Sequence, residues 1–284
     1  MLKKIFFAAA LLLASELIAK PVVIASIAPV EYLAKAVGGD KIEVHSLAKG
    51  DVHSYEPKPN DMKAVAKARI FIAAGLEFEE AWIPRFKASA KNLVVVQSDA
   101  KIAKLKEERG EQAEHDEKHE AHADPHVWLN PMLAITMARN ISDALIDMDK
   151  ANKDFYLENF QKLMNDLLAF DESAKNELAG LKNRKFVVYH PAWGYFAAHY
   201  DLEQISIERS GKEPKIDEMA STVKMIKDEN IKVIFADPNR SQKSAQILAS
   251  QTGAKVELLD PLGYNLLENL KIAVGAIKDA NSPK

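Results

Sequence analysis

PVVIASIAPVEYLAKAVGGDKIEVHSL, residues 21–47, carries the fold in miniature. Val22 to Ser26 is a short apolar run rich in β-branched residues, which predicts a buried strand. Pro29 stands where the first turn of a helix tolerates proline, and Gly38-Gly39 stops that helix. Ile42 to Leu47 predicts a second strand. Apolar strands alternating with helices point to a parallel sheet covered on both faces.

ARIFIAAG (68–75) and LVVVQSD (93–99) predict two further strands of the same kind. From residue 181 the pattern returns. RKFVVYHPAWGYFAAHYDLEQISI reads as strand, turn, helix, strand, and IKVIFADPNRSQKSAQILASQTGAKVELLDPLG as strand, helix, strand. The halves share element order without obvious residue identity, so the repeat is architectural. Between them, Met132 to Ala179 contains neither Gly nor Pro. Tyr156, Phe160, Leu163, Leu167, Phe170, Ala174 and Leu178 recur there at steps of three and four, the apolar stripe of a helix. At 1.5 Å per residue, Tyr156 to Leu178 spans roughly 33 Å, enough to act as a strut. The predicted fold is α/β, with two similar lobes joined by one long rigid interlobe helix. The expected divisions are 20–150 for the first lobe, 151–180 for the helix and 181–284 for the second lobe.

Residues 1–19 predict an export signal. Lys3 and Lys4 precede an uncharged apolar run, and Ala19 is a small residue at a plausible cut. The run is about ten residues long, too short to span a bilayer. No direct membrane insertion is expected after cleavage. The chain has no cysteine, so neither disulfides nor a lipid-bearing cysteine at the cut are available. A soluble, monomeric, periplasmic protein is expected. The net charge of -3 argues against a nucleic-acid partner, since phosphate binding calls for a basic surface.

In open parallel sheets, ligands bind outside the carboxyl ends of the strands. His53 follows the second predicted strand, His190 ends FVVYH, and Asp260 closes KVELLD. His126 follows Asp124-Pro125 in a loop before the interlobe segment. Two come from each half. Three imidazoles and a carboxylate make a set suited to Zn²⁺ if they share one crevice.

Five motifs, GDVHSYEPKPND, ADPHVWLNP, FVVYHPAWGYFAAHY, VIFADPNRSQKSAQ and LLDPLG, in this order and spacing, resemble the zinc and manganese solute-binding proteins of bacterial ABC importers. The resemblance covers nearly the whole chain after the signal. It implies two α/β lobes clamping a metal ion, ligands at His53, His126, His190 and Asp260, and an inner-membrane ABC permease as partner. Manganese members commonly carry Glu at the third position, where this chain has His190. A nitrogen-rich, softer site also favours Zn²⁺ over Mn²⁺. Some zinc members have Glu directly before the first ligand. Here that residue is Val52, which leaves Asp260 or water as the fourth ligand.

The segment 105–123, LKEERGEQAEHDEKHEAHA, is acidic and histidine-rich, the composition of a solvated loop. Zinc members of the resembled family often carry such an insertion here. His115, His119 and His122 are therefore expected to form a second, weaker zinc site, with a merely solubilising loop as the alternative. The spacing H-D-E-K-H does not fit the HExxH pattern of a zinc protease helix. The functional expectation is a high-affinity Zn²⁺ receptor that is not an enzyme. A manganese receptor, a zinc-dependent hydrolase and an adhesin of similar fold are the rivals. Proton competition is expected to weaken binding as pH falls through about 6.5, the ordinary histidine range.

Overall fold

The computed structural model describes residues 20–106, 123–208 and 216–282. The expected signal segment 1–19 lies outside them, as do His115, His119 and His122.

The first sheet is built by β1 (Val22–Ala25), β2 (Glu43–Ser46), β3 (Ile70–Ala73) and β4 (Val94–Gln97), all parallel, in the order β2-β1-β3-β4. Helices α1 (Ala28–Gly38), α2 (Pro59–Val65) and α3 (Glu77–Ser89) connect its strands. The second sheet uses β5 (Lys185–Val188), β6 (Glu203–Ser206), β7 (Val233–Ala236) and β8 (Lys255–Leu258), also parallel, in the order β6-β5-β7-β8. Its connecting helices are α6 (Gly194–His199), α7 (Ile216–Asp228) and α8 (Lys243–Thr252). The two sheets thus repeat one topology, as their shared element order suggested. In both, the first strand sits centrally, and the chain leaves it in opposite directions to its two neighbours. Loops diverge at that switch point, and there such sheets bind ligands.

Two helices lie between the sheets in sequence, α4 (Pro131–Met148) and α5 (Lys153–Leu178). Asn130 caps α4 by accepting from the Met132 and Leu133 N–H groups, at 2.9 and 3.3 Å. The 26 residues of α5 make a rod of about 39 Å. Its stripe of Tyr156, Phe160, Leu163, Leu167, Phe170, Ala174 and Leu178 is buried. That stripe rests on α1 and α4 on one side and on α9 (Leu266–Asn281) of the second lobe on the other. One helix therefore contributes to both cores, so bending it would expose apolar surface from each. Gly39 ends α1 with φ +55, and an added Cβ would stand 2.7 Å from the Phe155 ring. Only glycine fits both the backbone and the close approach of α5 there.

β3 and β7, next to the switch points, are buried along their whole length, whereas the edge strands β4 and β8 are partly exposed. Among the described residues no helix is long and apolar enough to cross a membrane.

Candidate metal centre

Each histidine of the expected set sits just beyond a strand or a short turn, and each is held from behind. His53 lies in the loop after β2, where the Asp51 carboxylate accepts the His53 N–H at 3.1 Å and the Ser54 hydroxyl at 3.2 Å. This local turn fixes the backbone while leaving the ring free to point inward. Asp124 does more for His126. Its Oδ1 accepts both the His126 backbone N–H, at 2.9 Å, and the ring Nδ1–H, at 2.7 Å. His190 stands two residues beyond β5, not on the strand as its sequence suggested, and its Nδ1 lies 2.9 Å from Glu208 Oε2.

An ionised Asp124 can only accept, so it places the His126 ring proton on Nδ1 and leaves that ring's Nε2 lone pair for another use. At His190, Nδ1 lies between Glu208 Oε2 and the Arg240 guanidinium while Nε2 faces His53. The three rings converge, with one ligating nitrogen from each lying within 4.8 Å of the others. His53 Nε2 and His190 Nε2 are 3.2 Å apart. Two nitrogens bound tetrahedrally to one zinc at 2.0–2.1 Å would be about 3.3 Å apart. The trio therefore has the donor type that suits zinc, and the His53–His190 pair has the spacing of two nitrogens on one ion.

His126 and His190 are buried, while His53 keeps an exposed edge at the rim. Burial, reinforced by His126 and the Arg240 guanidinium, pushes His53 down to about 4. The same causes, with His53 added, hold His190 well below the ordinary imidazole value. These two rings thus stay neutral in mildly acidic solution. Proton competition at His53 and His190 therefore falls below the ordinary histidine range, and the share of zinc affinity that rests on His53 should be lost as pH falls toward 4. Zinc competition titrations between about pH 7 and pH 4 check this, and affinity that stops falling below about pH 6 would contradict it. The sign for the metal-free fold follows. Depressed folded values contribute stability that is complete above about pH 6.5 and is lost as pH falls toward 4.

Asp260 is not part of the histidine group. Its Oδ1 accepts from Asn239 Nδ2 at 2.8 Å and from the Leu262 N–H at 2.9 Å. The trio has two faces. One opens on a cavity of about 190 Å³ whose wall includes Lys106, Asp124, Gly194 and Gln204. The other closes against Asp51, Asp237 and Leu262.

Two residues of the site escaped the sequence reading, Glu208 and Arg240. Glu208 follows β6 and Arg240 follows β7, the strands on either side of β5. The strand-end rule that selected the histidines would have selected them too, had it been applied to every charged residue. Trp128 and Tyr195 join the lobes beside the centre. Trp128 Nε1–H donates to the Pro261 carbonyl at 2.7 Å. The Tyr195 hydroxyl donates to the Asp124 carbonyl at 2.7 Å and accepts the Leu105 N–H at 2.8 Å. His45 and His199 lie elsewhere, paired with Glu43 and Asp171.

Comparison with known proteins bears directly on this centre. A putative metal-binding protein of Treponema pallidum (strain Nichols) is 34% identical over 243 residues, covering 82% of this chain and 77% of that protein. The high-affinity zinc uptake system protein ZnuA of Bacillus subtilis (strain 168) is 30% identical over 279 residues, covering 91% and 86%. A solved structure of a ZnuA deletion mutant with zinc bound superposes with a TM-score of 0.86 at 34% identity, covering 93% of this chain and 99% of that one. Residues 23–280 match the family described as "ZnuA: Zinc-uptake complex component A periplasmic", and the chain belongs to that family.

Proposed function

We propose that this protein is a receptor that captures Zn²⁺ outside the cytoplasm and delivers it to an ABC permease. The observation that carries the reading is the convergence of three imidazole nitrogens between two lobes. Membership of a zinc-uptake family supports both cargo and pathway. His53, His126 and His190 are the ligands in this proposal. Asp260 is the fourth, acting through Oδ2, because Asn239 and Leu262 already engage its Oδ1. Neutral nitrogen donors favour zinc over manganese, which prefers carboxylate and water oxygen. Filling the fourth position with a protein carboxylate leaves no bound water to activate, so the protein carries its metal rather than using it in catalysis. The periplasm is its proposed place of action and the monomer its working form.

Native mass spectrometry of the purified protein with Zn²⁺ and Mn²⁺ in competition tests the reading. One tightly held zinc per chain is expected, and preferential manganese loading would overturn it. The histidine-rich segment supplies a second, weaker site through His115, His119 and His122. Deleting residues 108–122 should remove the weak zinc and keep the tight one; unchanged stoichiometry at every concentration would remove the second site from the account. Asp260→Ala should weaken tight binding by about tenfold, less than the loss of a histidine, because water can replace one oxygen ligand. Unchanged affinity would give the fourth position to solvent.

A further inference from the structure

The charges around the trio do not all favour a cation. Arg240, in the loop after β7, is 18% exposed and points toward the centre from the second lobe. Its Nη1–H donates to Glu208 Oε2 at 2.9 Å, and Nη1 lies 2.5 Å from His190 Nδ1. Its Nη2 lies 3.8 Å from Asp51 Oδ2, across the cleft in the His53 loop. One guanidinium therefore sits between the carboxylate behind His190 and the carboxylate behind His53.

Three neutral imidazoles do nothing to balance the double charge of zinc, so nearby carboxylates must offset it. Arg240 occupies two of those carboxylates, and its charge persists at every working pH. In the empty clamp this is useful. Glu208 is only 5% exposed, and a buried carboxylate facing a neutral ring without a counter-charge is strongly destabilising. In the loaded clamp the same guanidinium opposes the cargo.

Resting on the zinc reading above, we propose that Arg240 is a positioning residue for cargo release. It is a resident counter-cation that stabilises the empty clamp by neutralising Glu208 and Asp51, and so holds zinc less tightly than the ligands alone would. Arg240 takes the place of part of the metal's charge when the metal is gone. The cleft can then empty without a large rearrangement of lobes that α5 makes rigid.

The test is the zinc dissociation rate of the full chain, measured by mixing zinc-loaded protein with excess chromogenic chelator. Arg240→Met should slow release by roughly tenfold, within the usual range of coupling between two sites. Its metal-free form should melt lower than wild type, with added zinc restoring much of the loss. Arg240→Lys, which keeps the charge, should release zinc close to the wild-type rate. A merely structural role predicts the opposite sign, since a damaged site loses metal faster. Arg240→Met releasing zinc at the wild-type rate or faster overturns the proposal, as does Arg240→Lys releasing it as slowly as Arg240→Met. If Arg240→Met does not fold without zinc, Arg240→Gln decides. It keeps a side-chain donor for Glu208 but removes the charge, so it should slow release; release at the wild-type rate or faster overturns the proposal. Wild-type protein that takes up no zinc would instead defeat the zinc reading itself.

Discussion

Zinc affinity should fall by more than about 100-fold when His190 is replaced by alanine. Loss of an outer-shell partner of a metal ligand typically costs 10–100-fold, and His190 is proposed as the ligand itself. Its ring is the third nitrogen of the trio, 3.2 Å from His53 Nε2. Two imidazoles and Asp260 would then have to hold the ion with one corner given to water. The fold should survive, because Glu208 keeps its ion pair with Arg240 at 2.9 Å when the ring is gone. Glu208→Gln gives the useful contrast. It retains a side-chain acceptor for the ring but not the charge, so its zinc loss should be smaller than that of His190→Ala. Chelator competition on both variants measures the difference. Unchanged zinc affinity in His190→Ala would remove this ring from the ligand set.

Trp128→Ala should destabilise the protein by about 3–5 kcal/mol, the usual cost of emptying a buried aromatic site. The side chain is fully buried, and its ring centroid lies 5.3 Å from that of His126. Its Nε1–H also satisfies the Pro261 carbonyl on the opposite lobe at 2.7 Å. Truncation therefore removes packing under a proposed ligand and leaves an acceptor unpaired across the lobe boundary. Trp128→Phe separates the two effects, since it keeps most of the apolar volume and should cost clearly less. Denaturant unfolding of the metal-free proteins reads both numbers. A cost for Trp128→Ala below about 1 kcal/mol would mean that the lobe boundary relaxes easily around the gap, contrary to the close packing expected of a core.

Local periodicity made much of this structure readable. The apolar runs at Val22, Ile70, Phe186 and Val233 became strands because buried parallel strands need apolar side chains on both faces. The α5 stripe was legible residue by residue, since a 3.6-residue period leaves its mark on any helix with one buried face. The support of His126 was also within reach, because Asp124 is only two residues away. The support of His190 was legible only as two more charged residues near strand ends. Glu208 and Arg240 lie 18 and 50 residues further on, and only the strand order β6-β5-β7 brings them to the same ring. Asp260 illustrates a different limit. Its place at a strand end was legible, but the amide of Asn239, 21 residues earlier, engages its carboxylate in a way that no spacing encodes. The depressed titration of His53 and His190 was hidden for the same reason, since burial, His126 and a distant guanidinium set it rather than the histidine side chain alone.

In the proposed receptor, His53, His126 and His190 hold one zinc ion between the lobes. A zinc-edge anomalous difference map from crystals of the zinc-loaded protein tests it most directly. One dominant peak is expected at roughly 2.0–2.1 Å from a ring nitrogen of each of the three histidines, the zinc–imidazole bond length. A dominant peak elsewhere, or one touching fewer than three of these rings, would contradict it.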